Sequence, residues 1–506
     1  MTAVSLTRLR PEVSLAGAPL EPTLHRLVAS IVIRQIFGAP ALAEIAIEAP
    51  FEGLENRLAA GVELMVSVGP GPAMFAGRIT GLEHEFGADG RRVLRVRAHD
   101  ALHGLRVRRR FRVVEEASAA SLWSEAAVEL GLDFDAVETG PTRRIVQAGT
   151  SDLACLVAAG LEEGLHPTIR EGVLRLVSLA GFGEPIDLGW GEALLAARID
   201  EAGERAARSS RAEGWDPFSA KAYSASAALS RQDQEVELRS FGLGALNADE
   251  GALFGVNRVA RSEAQIAADA QQAFDCNAAA ETVVTGTAWG DPALGPGVRV
   301  TLSGLAPKEA LTVVLARTTH SFDVATGYTT EFSTEPPPRR ARAETPIVTL
   351  GQVVDIRDPD GGARCKVKLP AFGDATVGYL SVLIAGAGPG KGAAALPDVG
   401  DEVVALFPTG DLAEGLILGG LYGGARLPRG VTTQDPRAVV LASGGDQRLV
   451  LGGRQKTLSL STSRGDTLAL GGAQGQLLVA GDLTISAVGG TITIKANKIK
   501  FERGNA

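Results

Sequence analysis

The sequence predicts a mainly β protein that contains small barrels and ends in a rod-like β-element. Apolar and polar residues alternate with a period of two over many short segments, which is typical of strands with one buried face. Turn sequences such as DPDGG, SRGD and AGD separate these segments. The chain has 62 glycines among 506 residues and only 5% aromatic residues, which suits many tight turns and small cores. This length predicts three to five domains.

The most regular alternation occupies residues 440–506. Pairs of apolar residues, two positions apart, recur along this segment with Gly-, Ser- and Asp-rich turns between them. The pairs are Leu449/Leu451, Leu458/Leu460, Leu468/Leu470, Leu477/Val479, Leu483/Ile485, Ile492/Ile494 and Ile499/Phe501. One copy of such a strip cannot bury its apolar row, because each strand contributes only two inward side chains.

Three chains wound around a shared axis would bury that row, so we expect an intertwined trimeric β-helix. The predicted trimer core of this rod consists of Leu449, Leu451, Leu458, Leu460, Leu468, Leu470, Leu483, Ile485, Ile492, Ile494 and Ile499. The alternative is an ordinary antiparallel meander that lies on a neighbouring domain.

Residues 346–424 predict a small barrel. The segment PIVTLGQVVDIRDPDGGARCKVKLPAF contains two alternating strands joined by a hairpin signal, and VGDEVVALFPTGDLAEGLILGGLYGG contains two more. About five short strands in this space indicate an OB-type Greek-key barrel. Although OB folds often bind oligonucleotides, these strands are acidic and apolar and the net charge is −9. We therefore expect no nucleic-acid partner.

The same segments carry a family resemblance. VVDIRDPDGGARCKVKLP, AGPGKGAAALPDVGDEVVALFPTGD and GLILGGLYGG resemble the OB domain of spike proteins from contractile injection machines. That family includes the valine-glycine repeat protein G of type VI secretion and the central spike of contractile phage baseplates.

The resemblance extends toward the N-terminus. The first hub barrel of that family resembles the segment VGPGPAMFAGRITGLEHEF. Its inserted α/β segment resembles VQAGTSDLACLVAAGLEEGLHPTIREGVLRLV, and its second hub barrel resembles VVLARTTHSFDVATGYTTEFS. We expect the first hub barrel over residues 1–100, the inserted segment over 101–200 and the second hub barrel over 201–333. A Pro- and Arg-rich linker then covers 334–345, the OB-fold domain 346–424, a connector 425–439 and the triple-stranded β-helix spike 440–506.

Motifs that suggest chemistry are few. His99 and His103 are four residues apart and could ligate a metal from one helix face, but no glutamate stands where a metalloprotease base is needed. His320 is expected to be a structural histidine of a barrel strand. Only a short connector separates the OB domain from the rod, which leaves no room for an enzyme domain. We expect no enzyme, no catalytic residue, no metal and no cofactor; the alternative is a trimeric stalked enzyme or carbohydrate-binding protein.

The resemblance implies a homotrimeric spike and hub that joins a hexameric inner tube to a membrane-puncturing tip. Its implied partners are the inner-tube protein, baseplate proteins, a small tip-capping protein of the proline-alanine-alanine-arginine repeat type and, transiently, the target membrane. We expect the cap to bind a flat end made by three copies of Lys500, Phe501 and Glu502.

The sequence shows no signal peptide and no membrane-spanning stretch. Cys155, Cys276 and Cys365 are scattered and are expected to be free thiols. We expect assembly in the cytoplasm and then incorporation into a phage tail-like particle. The short rod, with no effector domain after it, favours an extracellular contractile injection particle; a type VI secretion spike is the alternative.

Overall fold

In the computed structural model, one 11-stranded sheet runs through the two predicted hub regions. The structure describes residues 11–51, 53–69, 71–202, 207–216, 218–231, 252–260, 262–305, 310–323, 326–338, 345–424, 427, 431, 437–454, 456–472 and 474–502. Residues 1–420 and 421–506 form two compact units, and each is described on its own.

The first hub domain is an antiparallel arrangement of seven strands with two single-turn helices. Inward side chains alternate along its strands, as Ile31 and Ile33 do in the third strand and Ile45 and Ile47 in the fourth, and all four are buried. The elements are β1 (Pro11–Leu15), β2 (Ala18–Pro19), α1 (Pro22–His25), β3 (Val28–Ile36), β4 (Leu42–Glu48), α2 (Leu54–Arg57), β5 (Glu63–Val68), β6 (Phe75–Phe86) and β7 (Arg92–His99).

The inserted α/β segment has its own core around Trp123, which is fully buried and donates its indole N–H to the carbonyl of Leu156 at 3.2 Å. Each of its two longer helices starts at a serine cap and ends at a left-handed glycine, Gly131 or Gly164. The elements are α3 (Leu102–Val107), β8 (Arg109–Ala117), α4 (Ala119–Leu130), β9 (Asp133–Ala136), β10 (Arg143–Ser151), α5 (Asp152–Glu163), β11 (His166–Arg170) and β12 (Val173–Val177).

The second hub domain starts earlier than the expected residue 201. Strands β13 (Phe182–Gly189) and β14 (Leu194–Glu201) lie within the range assigned to the inserted segment. They nevertheless pair with two later strands of the second hub domain, Val298–Ser303 and Thr282–Trp289 respectively. The boundary between the inserted segment and the second hub domain therefore lies near residue 180. The sequence does not indicate it, because local alternation does not reveal which distant strands pair.

A separate layer, which the sequence does not predict, interrupts the second hub domain. A three-stranded sheet packs on a long helix, and their shared core contains Ala212, Ile266, Ala270 and Phe274. These elements are β15 (Ser209–Asp216), β16 (Lys221–Ala227), β17 (Ala252–Val259) and α6 (Glu263–Glu281).

The remaining strands of the second hub domain complete the large sheet and a three-stranded sheet of β13, β19 and β20. Strand β21 pairs antiparallel with β3, from Arg317 opposite Ile36 to Asp323 opposite Ser30, and so joins the two hub domains. The strands are β18 (Thr282–Trp289), β19 (Val298–Ser303), β20 (Ala310–Val314), β21 (Arg317–Asp323) and β22 (Gly327–Ser333).

Residues 347–421 form a closed five-stranded barrel in the order β23–β24–β25–β29–β28, which confirms the predicted OB fold. The barrel packs on the inserted segment, since Val146 and Ala148 of β10 contact its core. The elements are β23 (Ile347–Asp355), β24 (Cys365–Leu369), a 3₁₀ turn (Pro370–Phe372), β25 (Ala375–Val382), β26 (Ala385–Gly388), β27 (Lys391–Ala393), β28 (Glu402–Phe407) and β29 (Leu416–Leu421).

Within one chain the segment predicted as a rod begins as a five-stranded antiparallel meander in sequence order. Its strands are β30 (Val439–Ala442), β31 (Arg448–Gly452), β32 (Thr457–Ser461), β33 (Thr467–Gly471) and β34 (Gln474–Leu478). The described residues from 479 to 502 form no strand. The pairs Leu483/Ile485, Ile492/Ile494 and Ile499/Phe501 thus lie outside the strands of the described chain.

None of the helices in the described part of the chain combines the length and the apolar character needed to cross a bilayer.

Candidate functional site

One face of the C-terminal meander consists of aligned apolar side chains. Leu449 lies opposite Leu460, which lies opposite Leu468, and Leu468 lies opposite Leu477. Residues directly opposite each other in an antiparallel pair project to the same face. We call this surface the apolar face; it comprises Val439, Leu441, Leu449, Leu451, Leu458, Leu460, Leu468, Leu470 and Leu477.

This apolar face is only partly covered within one chain. Leu460 is 43% exposed, Leu477 is 55% exposed and Leu441 is 64% exposed. Full burial of a leucine is worth about 1.5–3 kcal/mol relative to exposure, and soluble monomers rarely expose a large contiguous apolar patch. The opposite face carries Ser459, Ala469 and Gln476 on its later strands, and the one large exposed apolar side chain described there is Leu478, which is 53% exposed. The meander therefore has one face suited to association.

The predicted rod core divides into two groups. Its first six residues, Leu449 to Leu470, lie together on the apolar face. The other five are 48–66% exposed in the strand-free segment after β34: Leu483, Ile485, Ile492, Ile494 and Ile499. Val439 and Leu441 join the apolar face although they are absent from the predicted core; their own i,i+2 spacing is the signal that could have identified them.

At the predicted tip, Lys500 and Glu502 form an ion pair. Phe501 lies between them in sequence and is 89% exposed. Lys495 and Lys498 precede this group and are also exposed. The end of the described rod thus combines basic side chains with an uncovered aromatic ring.

His320 is a buried part of the hub core. Its Nε2–H donates to the carbonyl of Leu294 at 3.0 Å, which leaves Nδ1 as an acceptor that lies 3.0 Å from the Tyr328 hydroxyl and 3.1 Å from the Thr330 hydroxyl. Burial lowers the pKa of His320 to about 4. The Tyr328 hydroxyl also lies 3.4 Å from the sulfur of Met74 in the first hub domain. This network stabilises the junction of the hub domains.

The two other candidate histidines stack on each other. The rings of His99 and His103 have centroids 4.5 Å apart. The intervening Asp100 accepts the backbone N–H groups of Ala41 and Leu102, and burial raises its pKa to about 7. Among the described residues, no group of three or more His, Cys, Asp or Glu side chains is placed to hold a metal ion.

The three cysteines form no disulfide with one another and lie in separate parts of the fold. Cys155 is half-buried, whereas Cys276 and Cys365 are buried. Burial raises the pKa of the Cys155 and Cys365 thiols, so neither is activated as a nucleophile.

The buried neutral state of His320 predicts a pH effect on hub stability. Its pKa is about 6.5 in the unfolded chain and about 4 in the folded chain. The contribution of neutral His320 to the free energy of unfolding is therefore fully present above pH 6.5 and is lost as the pH falls toward 4. We expect the gap in unfolding free energy between wild type and His320→Asn to shrink by roughly 2 kcal/mol from pH 7 to pH 5. Denaturant unfolding of both proteins at pH 7 and pH 5 measures this difference in unfolding free energy. An unchanged difference would contradict a buried, neutral His320.

Comparison with known proteins agrees with this geometry. Residues 349–422, which cover nearly all of the closed barrel, match the type VI secretion system/phage-baseplate injector OB domain family. The barrel is thus similar to injector OB domains. No curated protein sequence matches the chain.

Solved structures extend the likeness beyond the OB domain. An Escherichia coli component of the type VI secretion system, itself similar to the T4 bacteriophage tail proteins gp27 and gp5, superposes with a TM-score of 0.52 at 14% identity, covering 81% of this chain and 99% of that chain. The half-lidded Francisella PdpA–VgrG complex gives a TM-score of 0.54 at 6% identity, covering 93% of this chain and 88% of that chain. At these identities the likeness shows the fold alone, which this chain shares with the type VI secretion component and the VgrG complex.

Proposed function

We propose that this protein is the homotrimeric central spike and hub of a contractile injection particle, joining a six-fold inner tube to a membrane-puncturing tip. The observation that carries the proposal is the apolar face of the meander, whose leucines remain half-exposed in one chain. Three such faces turned toward a common axis would bury one another. The similar fold of the type VI secretion component and of the VgrG complex supports the same role.

The strand-free segment after β34 fits the same arrangement. Its apolar residues keep the two-residue spacing of the meander, as in Ile492 and Ile494, but those side chains are 49% and 66% exposed. Backbone N–H and C=O groups need partners when they are buried. Segments of three intertwined chains would supply those partners to one another.

The hub explains how a trimer could meet a six-fold tube. Each chain carries two hub domains in one continuous sheet, joined where β21 pairs with β3. Three chains then present six related docking surfaces, one for each subunit of a hexameric inner-tube ring. We infer that baseplate proteins surround this hub.

The tip is the proposed site of a small capping protein. Phe501 is 89% exposed between the paired Lys500 and Glu502, and three copies would form a small end surface. Uncovered apolar groups and strand ends promote aggregation, so a cap that binds Lys500, Phe501 and Glu502 would protect the rod until it meets the target membrane.

The proposed role is mechanical and needs no catalysis, because a narrow rod concentrates the force of sheath contraction on a small area. We propose assembly in the cytoplasm and a place in an extracellular contractile particle. A type VI secretion spike is a second candidate that the E. coli relative favours. A stalked enzyme or carbohydrate-binding trimer is the alternative outside this class.

The first test is the oligomeric state. Light scattering of the purified full-length chain should give the mass of three chains, because the apolar face is buried only between chains. Deletion of residues 440–506 should give a folded hub with weakened trimerisation. A stable full-length monomer at micromolar concentration would overturn the proposal. A trimer that retains no tube protein from its native lysate would favour the stalked binding protein instead.

A further inference from the structure

The chain separates its charges along its length. Residues 437–506 contain nine Lys and Arg against four Asp and Glu, a net charge of +5. Because the whole chain carries −9, the preceding 436 residues carry −14. The excess is greatest at the end: residues 491–506 contain four basic residues and one acidic residue. A trimer would therefore concentrate a net charge of +9 in its terminal segments.

The lysines of this segment are placed for contact with a partner. Lys495 alternates with Ile492 and Ile494, and Lys498 and Lys500 alternate with Ile499 and Phe501. If the apolar positions turn toward the rod axis, as proposed, the lysines face outward. Lys495, Lys498 and Lys500 are all exposed already in the single chain.

The rod's own acidic residues do little to neutralise these lysines. Glu502 pairs with Lys500, whereas Lys495 and Lys498 form no ion pair within the described ranges of the chain. Farther up the rod, Asp446 pairs with Arg448, and Asp466 accepts from the Ala480 backbone N–H and the Thr462 hydroxyl. Among the described residues from 491 to 502, the basic side chains without an ion pair are thus Lys495 and Lys498, which we call the basic collar.

We propose that the basic collar binds the phosphate-bearing headgroups of an anionic lipid bilayer, so that the rod engages its target membrane electrostatically before it penetrates. Lysine ammonium groups are compact charges that suit phosphate, and each basic residue near an anionic surface contributes favourably. This inference rests on the proposed spike function and names the surface that the tip recognises.

The test uses the full-length protein and two matched double variants. Lys495→Gln/Lys498→Gln removes the basic collar, and Lys456→Gln/Arg464→Gln removes two exposed basic residues of the meander. Co-sedimentation is measured with phosphatidylcholine vesicles, with and without phosphatidylglycerol, at low and high salt. Wild type should bind only the anionic vesicles and lose binding at high salt.

The collar variant should bind anionic vesicles at least about tenfold more weakly, since each basic residue near such a surface contributes roughly fivefold. The meander variant should stay within about twofold of wild type. Equal binding to neutral vesicles, equal loss in both variants, or binding to duplex DNA but not to vesicles would overturn the inference. Light scattering on the same samples separates this failure from failure of the spike proposal: a trimer without vesicle binding contradicts the collar alone.

Discussion

Leu477→Asp is expected to convert the trimer into monomers while the hub stays folded. Leu477 lies opposite Leu468 on the apolar face and is 55% exposed in one chain, so the substitution costs a single chain little. In the proposed trimer three carboxylates would meet near the axis without partners. Each buried unpaired charge costs several kcal/mol, and the three like charges also repel one another. This total cost exceeds the free energy that burial of the remaining leucines contributes.

The neighbouring residue provides a matched control. Gln476 lies on the same strand, is also exposed, and faces the other way, opposite Ala469. Gln476→Asp adds the same charge but should leave the trimer intact. Light scattering at micromolar concentration compares the two variants, and circular dichroism checks the fold. Equal dissociation in both variants, or in neither, would argue against an apolar face turned toward the axis.

Gly290→Ala is expected to disrupt the hub itself. The backbone N–H of Gly290 donates to the carbonyl of Tyr328 at 2.9 Å, and a Cβ at this position would lie 2.0 Å from the Tyr328 ring. The ring has no room to move, because it stacks on Phe322 with centroids 4.0 Å apart and its hydroxyl binds His320. We expect a loss of about 3 kcal/mol or more in unfolding free energy.

Gly295→Ala tests whether the effect is specific to that contact. Gly295 follows in the same loop, and a Cβ there would meet only the Gln35 side chain at 3.6 Å, an ordinary contact. Thermal unfolding of both variants should show a large drop in Tm for Gly290→Ala and a small change for Gly295→Ala. Similar Tm values for the two would contradict the described packing of Tyr328. Because Tyr328 lies on β22 yet packs in the core of the first hub domain, both hub domains should loosen together.

Local patterns predict the OB barrel and the strands of the meander well. The DPDGG turn and its flanking alternation depend on neighbouring residues, and the structure places Asp358 of that turn as acceptor for the backbone N–H groups of Asp360 and Gly362. The Arg364 guanidinium holds the pKa of the same carboxylate well below its usual range. Such features involve residues only a few positions apart, so the sequence alone predicts them.

The sequence alone does not predict which strands pair when they are far apart in the chain. Only the structure shows that β14 is a strand that pairs with β18, more than eighty residues later. The layer of β15, β16, β17 and α6 was likewise missed, since its small alanine-rich core gives a weak periodic signal. The partners of His320 come from residues 294, 328 and 330, and the first of these lies on another segment.

The sequence by itself determined the mainly β class, the OB barrel, the positions of most apolar residues on the rod and the excess of basic residues at its end, because turns, two-residue alternation and charge are local properties. Only the tertiary structure decided that Val439 and Leu441 share a face with Leu449 and Leu460, and that β21 joins the two hub domains. The physical reason is that register and pairing depend on which strands meet, and that choice minimises exposed apolar surface over the whole chain rather than within any one segment.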